Sequence, residues 1–170
     1  MIAVYQIGDY VVKANSGICR IDDIRHLDMS GVDKNRMYYF MTSQDNQASK
    51  LYVPVDGKKS EMRKVISEPE AWQIIEHIPD VEATWISDDK QREQKYREAL
   101  KSCDPNELIG IIKNMYFRKQ KRNAQGKRST VVDERYFRMA EDALYAELAF
   151  AIGREKDEMR EIIAEKLKDR

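Results

Sequence analysis

The run MYYFMTSQDNQASKLYVPV, residues 37–55, sets the character of the first part of the chain. Two aromatic and β-branched segments, MYYFMT (37–42) and SKLYVPV (49–55), flank the polar loop SQDNQA. This is the pattern of a β-hairpin, with the turn type left open by the loop length. Pro54 has no amide donor, which puts it at a sheet edge, a bulge or a strand end. Upstream, IAVYQIG (2–8), DYVVKA (9–14) and GICRIDDI (17–24) repeat the theme between Gly, Asn, Asp and Ser. Residues 1–66 therefore read as four or five short strands, which a strongly curved, five-stranded small barrel fits. So small a domain buries little apolar surface on its own. Tyr5, Tyr10, Tyr38, Tyr39 and Tyr52 exceed what its interior needs. Exposed aromatics and an open sheet edge suit recognition of a protein, although a well-packed barrel accounts for the tyrosines equally.

From about residue 60 the periodicity becomes helical, opening with EMRKVI. In SEPEAWQIIEHI (67–78), Ser67 reads as an N-cap, with Glu70 three residues on and Pro69 tolerable in the first turn. Trp72 and Ile75 fall on one face, and His77 reads as a helix-end residue. The stretch PDVEATWISDD (79–89) punctuates the chain before a second helix, 90–102. A third follows at 104–123, with Asp104 as N-cap, Pro105 at the first helical position and Glu107 completing a capping-box-like start. Its apolar stripe is Leu108, Ile111, Ile112, Met115 and Tyr116. Segment 131–153 has the small residues of a close-packed central helix and ends at Gly153, and 154–170 supplies a last amphipathic helix. The expected architecture is α+β: a small β-barrel over residues 1–66, then a compact all-helical domain over 67–170.

Thirty Lys+Arg against thirty Asp+Glu exclude a uniform polycation, so any nucleic-acid contact must come from a local patch. One exists: between Lys113 and Arg128 the chain places Arg118, Lys119, Lys121, Arg122 and Lys127 with no acid. Such cations can grip phosphates, and they can equally be a solvated helix end or a surface for an acidic protein. Lys90, Arg92, Lys95 and Arg97 form a weaker set, partly paired within the helix by Glu93 and Glu98. Trp85, just before that helix, reads either as a plug between helices or as an apolar wedge against opened DNA. Two histidines in separate segments, two distant cysteines, and the absence of both GxGxxG and GxxxxGK[ST] argue against an enzyme, a metal or a cofactor. Cys19 and Cys103 read as buried thiols. No apolar run nears the roughly 18 residues of a membrane span. The N-terminus lacks a leader pattern, so the cytoplasm is the expected location.

The order of several pieces resembles the CarD family of bacterial transcription regulators. These are Gly8-Asp9-Tyr10-Val11-Val12, the turn glycine Gly17, Tyr38-Tyr39, Tyr52-Val53-Pro54-Val55, Lys95-Tyr96-Arg97, Asp104 with Glu107-Leu108, and Arg138-Met139-Ala140 through Glu147-Leu148-Ala149. The resemblance implies a Tudor-like (SH3-like) module that docks on the RNA polymerase β subunit, with Arg25, Tyr39, Lys50, Tyr52 and Pro54 as candidate contacts. It also implies a helical domain that contacts promoter DNA, largely without sequence preference, at the upstream edge of the bubble and tunes open-complex stability. Neither catalysis nor a cofactor is implied, and a monomer is expected. Candidate DNA contacts are Trp85, Arg92, Lys95 and Arg97 in the first set, and Arg118, Lys119, Lys121, Arg122, Lys127 and Arg128 in the second. The chain departs from the family twice. The wedge tryptophan expected four residues before Tyr96 is Arg92, with Trp85 seven residues earlier; either a longer loop presents Trp85 or the basic residues act without a wedge. The cation expected before the Val-Pro motif is Tyr52, with Lys50 two residues earlier.

Overall fold

The computed structural model describes residues 4–57, 62–84, 86 and 88–168. The chain divides into two compact units, Met1–Val65 and Ile66–Arg170.

In the first unit, β1 (Tyr10–Lys13), β2 (Gly17–His26), β3 (Met37–Ser43), β4 (Lys50–Pro54) and β5 (Met62–Lys64) form one antiparallel sheet in the order β4-β3-β2-β1-β5. The sheet is the expected small five-stranded β-module, not closed among the described strands, with β4 and β5 at its edges. A register shift between Ile21 and Asp23 interrupts the β2–β3 ladder, a feature that bends a strand. Pro54 lies on the edge strand β4, where its missing amide costs no ladder bond.

Two strand expectations change. Of the segment 2–8, the described residues 4–8 are not a strand: Gly8 takes φ 94° and turns the chain, and its amide bonds Ile21 O at 2.8 Å. The fifth strand is instead Met62–Lys64, inside the stretch expected to open the helices. Glu, Met, Arg and Lys are good helix formers, but pairing with β1 and burial of Met62 override that local preference. The core on the inner face holds Val11, Cys19, Ile21, Tyr39, Met41 and Met62.

The second unit is a bundle of α1 (Glu68–His77), α2 (Asp89–Ser102), α3 (Pro105–Ala124), α4 (Val131–Ile152) and α5 (Lys156–Lys168), with a 3-10 turn at Ile78–Asp80. Side-chain caps start the helices as expected: Ser67 Oγ accepts from Glu70 N at 3.3 Å and an Asp104 carboxylate oxygen accepts from Asn106 N at 2.9 Å. Asp88 and Thr130 add two more, accepting from Lys90 N at 3.0 Å and Asp133 N at 3.1 Å. α4 packs on all four other helices, as a central helix should. α3 is buried over Leu108–Met115 without interruption, a wider burial than its apolar stripe predicted. Cys19 and Cys103 are buried and are not joined in a disulfide. Among the described residues no helix is long and apolar enough to cross a membrane, and no His, Cys, Asp and Glu cluster could hold a metal.

Candidate functional site

Alternation along β3 and β4 sorts the aromatic residues. The cross-strand pairs Tyr38–Pro54, Phe40–Tyr52 and Thr42–Lys50 share one side, while Tyr39, Met41, Leu51 and Val53 share the other. Tyr39 is accordingly core, 2% exposed, with its hydroxyl accepting from the amides of Val4 and Tyr5. Its expected place among the partner contacts is therefore corrected. On the outer side, the Arg25 guanidinium lies 4.1 Å from the centre of the Phe40 ring, and Phe40 meets Tyr52 edge to face at 5.0 Å. Tyr52 is 45% exposed. Arg25 also pairs with Asp23 at 2.9 Å, and Lys50 Nζ donates to Thr42 Oγ1 at 2.9 Å. Burial of the Asp22 carboxylate raises its pKa, but hydrogen bonds from Thr42 and Arg20 outweigh that and hold it below the usual range. The result is an exposed cation–aromatic strip with acids at one end. Phe40, absent from the candidates, is its centre, and the period of two in MYYFM is the signal that could have found it.

The basic sets of the helical unit are neutralised in space more than in sequence. Arg118 pairs with Asp133 at 2.7 Å and Lys119 approaches Glu134 at 3.8 Å, both acids belonging to α4. Lys113 is 1% exposed and donates to Val81 O at 2.6 Å, so it leaves the surface patch altogether. On α2, Lys95 pairs with Glu98, and Arg97 bonds both Glu93 at 2.7 Å and the Tyr136 hydroxyl at 3.0 Å. Arg92 is 6% exposed and pairs with Asp89 one turn earlier. Its expectation as a freely exposed contact is corrected, because the carboxylate and the bundle enclose it.

What remains uncompensated is the end of α3 and the loop after it. Lys121, Lys127 and Arg128 have no carboxylate within ion-pair distance among the described residues, and Arg122 Nε donates to the Arg128 carbonyl at 2.9 Å. Beside them, a pocket of about 470 Å3 gathers Arg92, Arg118, Lys121 and Arg122 with Ile86 and Phe117. The structure thus joins candidates from both basic sets, whereas Lys95 and Arg97 do not line this pocket. Trp85 lies outside the described residues.

The segment 81–84, which leads to the pocket rim, is held to α3 at one-turn spacing. Thr84 N donates to Gly110 O at 3.0 Å, Lys113 reaches Val81 O, and Asn114 Nδ2 donates to Thr84 O. A Cβ at Gly110 would lie 2.7 Å from Thr84 Oγ1, so glycine lets the segment approach. In sequence Lys113 read as the first cation of the basic patch, and Asn114 as a polar interruption of an apolar helix face.

Two family models match the chain: the CarD-like/TRCF RID domain over residues 5–66 and the CarD C-terminal domain over residues 73–164. The chain belongs to the CarD family. No curated protein matches it. The CarD-family assignment makes the open sheet a Tudor-like module and the fold α+β. CarD-family domains are those of non-catalytic, RNA polymerase-interacting transcription factors, and they mark this chain as one that binds RNA polymerase.

Proposed function

We propose that the first unit docks on the β subunit of bacterial RNA polymerase through the Arg25–Phe40–Tyr52 face of its sheet, flanked by Lys50 and Pro54. The second unit then contacts promoter DNA at the upstream edge of the bubble and adjusts the lifetime of the open complex. The observation that carries the DNA reading is the group Lys121, Arg122, Lys127 and Arg128, cations without a carboxylate partner among the described residues, on a helix end and its loop. Such a group contacts phosphates without reading sequence. Docking on polymerase raises the effective concentration of that weak contact. A contact that favours melted over paired DNA shifts the opening equilibrium by the difference in its affinities. Trp85, next to Ile86 in sequence, is the wedge candidate of this reading.

Replacing Lys121, Arg122, Lys127 and Arg128 together by Ala is expected to weaken DNA association at least about tenfold while polymerase capture persists. Arg25→Glu with Tyr52→Ala is expected to abolish polymerase capture. Salt-dependent promoter binding by the fourfold variant equal to that of the parent would sink the DNA assignment. The Arg118–Asp133 and Lys119–Glu134 pairs show that this face already accommodates carboxylates, which favours an acidic protein surface as the second reading. Loss of a protein contact, with DNA association intact, would select it.

A further inference from the structure

Ser129, the residue before the cap of α4, holds the one side-chain oxygen among the described residues that is buried without a hydrogen-bond partner. A buried hydroxyl of that kind calls for a partner that the chain itself does not supply. Ser129 lines two adjoining hollows, a cavity of about 190 Å3 and a groove of about 780 Å3, which also share Lys119, Glu134 and Arg138. One ligand can therefore occupy both. The acids on their walls are already engaged. Asp133 holds Arg118 and Tyr96, Glu134 faces Lys119, and Asp142 pairs with Lys156 at 2.7 Å. Glu141 accepts from the Tyr145 hydroxyl, and burial pushes its pKa up, so it opposes an incoming anion less than a free carboxylate does. Of the cations, Lys119, Arg135 and Arg160 have Glu134, Glu93 and Glu141 as counter-charges. Two have none: Arg138, which lines both hollows, and Arg128, on the groove, lie beyond ion-pair distance of every carboxylate among the described residues. Beside them the groove wall is apolar, with Val131 85% and Met139 44% exposed.

We infer that these hollows bind a small phosphomonoester, its phosphoryl group on the Ser129 hydroxyl, Arg138 and Arg128, and its organic body along Val131 and Met139. Charge selects the head group. Two uncompensated guanidiniums match the charge of about −1.5 to −2 that a phosphomonoester carries near neutral pH, whereas a carboxylate or a phosphodiester carries a single charge. Planar guanidinium forks also suit the several terminal oxygens of a phosphoryl group. Size points the same way. The cavity is smaller than the roughly 300–1,000 Å3 usual for a whole ligand but ample for one oxyanion, and the groove lies within that range. A terminal phosphoryl group can enter such a cavity, while a phosphate inside a nucleic-acid strand carries chain on both sides. The site also has a consequence for the rest of the unit. Arg128 belongs to the four cations assigned to DNA, so a bound phosphomonoester removes one of them and weakens that contact, and DNA weakens the ligand in return. This coupling rests on the DNA contact proposed above; the ligand site itself does not.

Calorimetric titration of the full chain, without DNA, compares phenyl phosphate, inorganic phosphate and benzoate. Phenyl phosphate is expected to bind about tenfold more tightly than benzoate, which offers one charge in place of two. Ser129→Ala and Arg138→Gln are each expected to weaken it about tenfold, the loss of one hydrogen bond to a charged group. Arg138 is exposed, so its variant stays informative if the serine variant fails to fold. Val131→Ser with Met139→Gln is expected to bring phenyl phosphate down to the level of inorganic phosphate. Inorganic phosphate that binds the parent as tightly as phenyl phosphate, and is lost in Ser129→Ala, keeps the phosphoryl chemistry and makes free phosphate the ligand. Three results overturn the site: benzoate bound equally well, phenyl phosphate unaffected by both head-group variants, or no binding of either phosphate. A second titration with duplex DNA at low ionic strength reads the coupling, and saturating phenyl phosphate is expected to weaken duplex binding. Duplex binding that stays unchanged overturns the coupling. Absence of duplex binding in the parent sinks the DNA contact and leaves the phosphomonoester site standing.

Discussion

Asp133 shows how much one side chain can organise. Its carboxylate accepts from the Tyr96 hydroxyl at 3.3 Å and pairs with Arg118 at 2.7 Å, joining α2 and α3 to the first turn of α4. Burial first, and the Asp133 charge second, push the pKa of Tyr96 up, so the phenol stays protonated and donates. Asp133→Ala strands both partners and is expected to cost about 2–4 kcal/mol in urea unfolding. Glu141 behaves differently. Burial raises its pKa above the ordinary glutamate value, against the pull of Arg160. The folded state therefore holds the proton more tightly than the unfolded chain, and the cost of burying the charge applies at pH above the folded pKa. Glu141→Gln is expected to stabilise by roughly 0.5–1 kcal/mol at neutral pH. That gain should vanish below about pH 4, where the unfolded chain's carboxyl is also protonated; denaturant titrations at both pH values read it. Individual residues were unevenly legible in sequence. Tyr39 and Phe40 sort by simple alternation, whereas the burial of Lys113 depends on Val81, which becomes its neighbour only when the segment after α1 folds back on α3.

At the level of elements, short-range signals were readable and long-range ones were not. Ser67 and Asp104 announce α1 and α3 because a cap and the amide that donates to it lie within three residues. β5 could not be read this way: Met62 pairs with Lys13, far back in the chain, and nothing local in Met-Arg-Lys demands a strand. The open sheet has the same origin, since closure depends on whether the edges β4 and β5 meet. Gly110 illustrates an element-scale conflict. Alanine would improve helix propensity by about 1 kcal/mol. The added methyl would press on Thr84 Oγ1, however, and overpacking of this kind costs about 1–3 kcal/mol. Gly110→Ala is expected to be neutral to destabilising by about 2 kcal/mol, with a larger loss of protection from hydrogen exchange at the Thr84 amide than elsewhere in the bundle. Gly153 carries no such contact; its φ of 70° ends α4, and Gly153→Ala is expected to cost about 1 kcal/mol through backbone strain alone.

Across the whole molecule, charge balance limits what the DNA contact can be. With thirty cations against thirty acids and only Lys121, Arg122, Lys127 and Arg128 uncompensated among the described candidates, about four phosphates can be engaged. The slope of log affinity on log salt is then expected near −3.6, far from the −9 or so of ten free contacts. A measured slope near −5.4 would mean that Arg118 and Lys119 abandon their α4 partners on binding and join the other four. The division into a strand unit and a helical unit was legible from composition, because a period of two gives way to one of 3.6. The pocket was not, since its wall draws on α2, α3 and the segment between α1 and α2. That segment also bears on how sequences of this family can diverge. Its course is fixed through its own backbone, by bonds from Val81 O, Thr84 N and Thr84 O to Gly110, Lys113 and Asn114. The path of the rim is therefore encoded in α3 rather than in the rim: Glu82 and Ala83 can drift in identity while the chain keeps its place, whereas drift at three positions of the helix would move it.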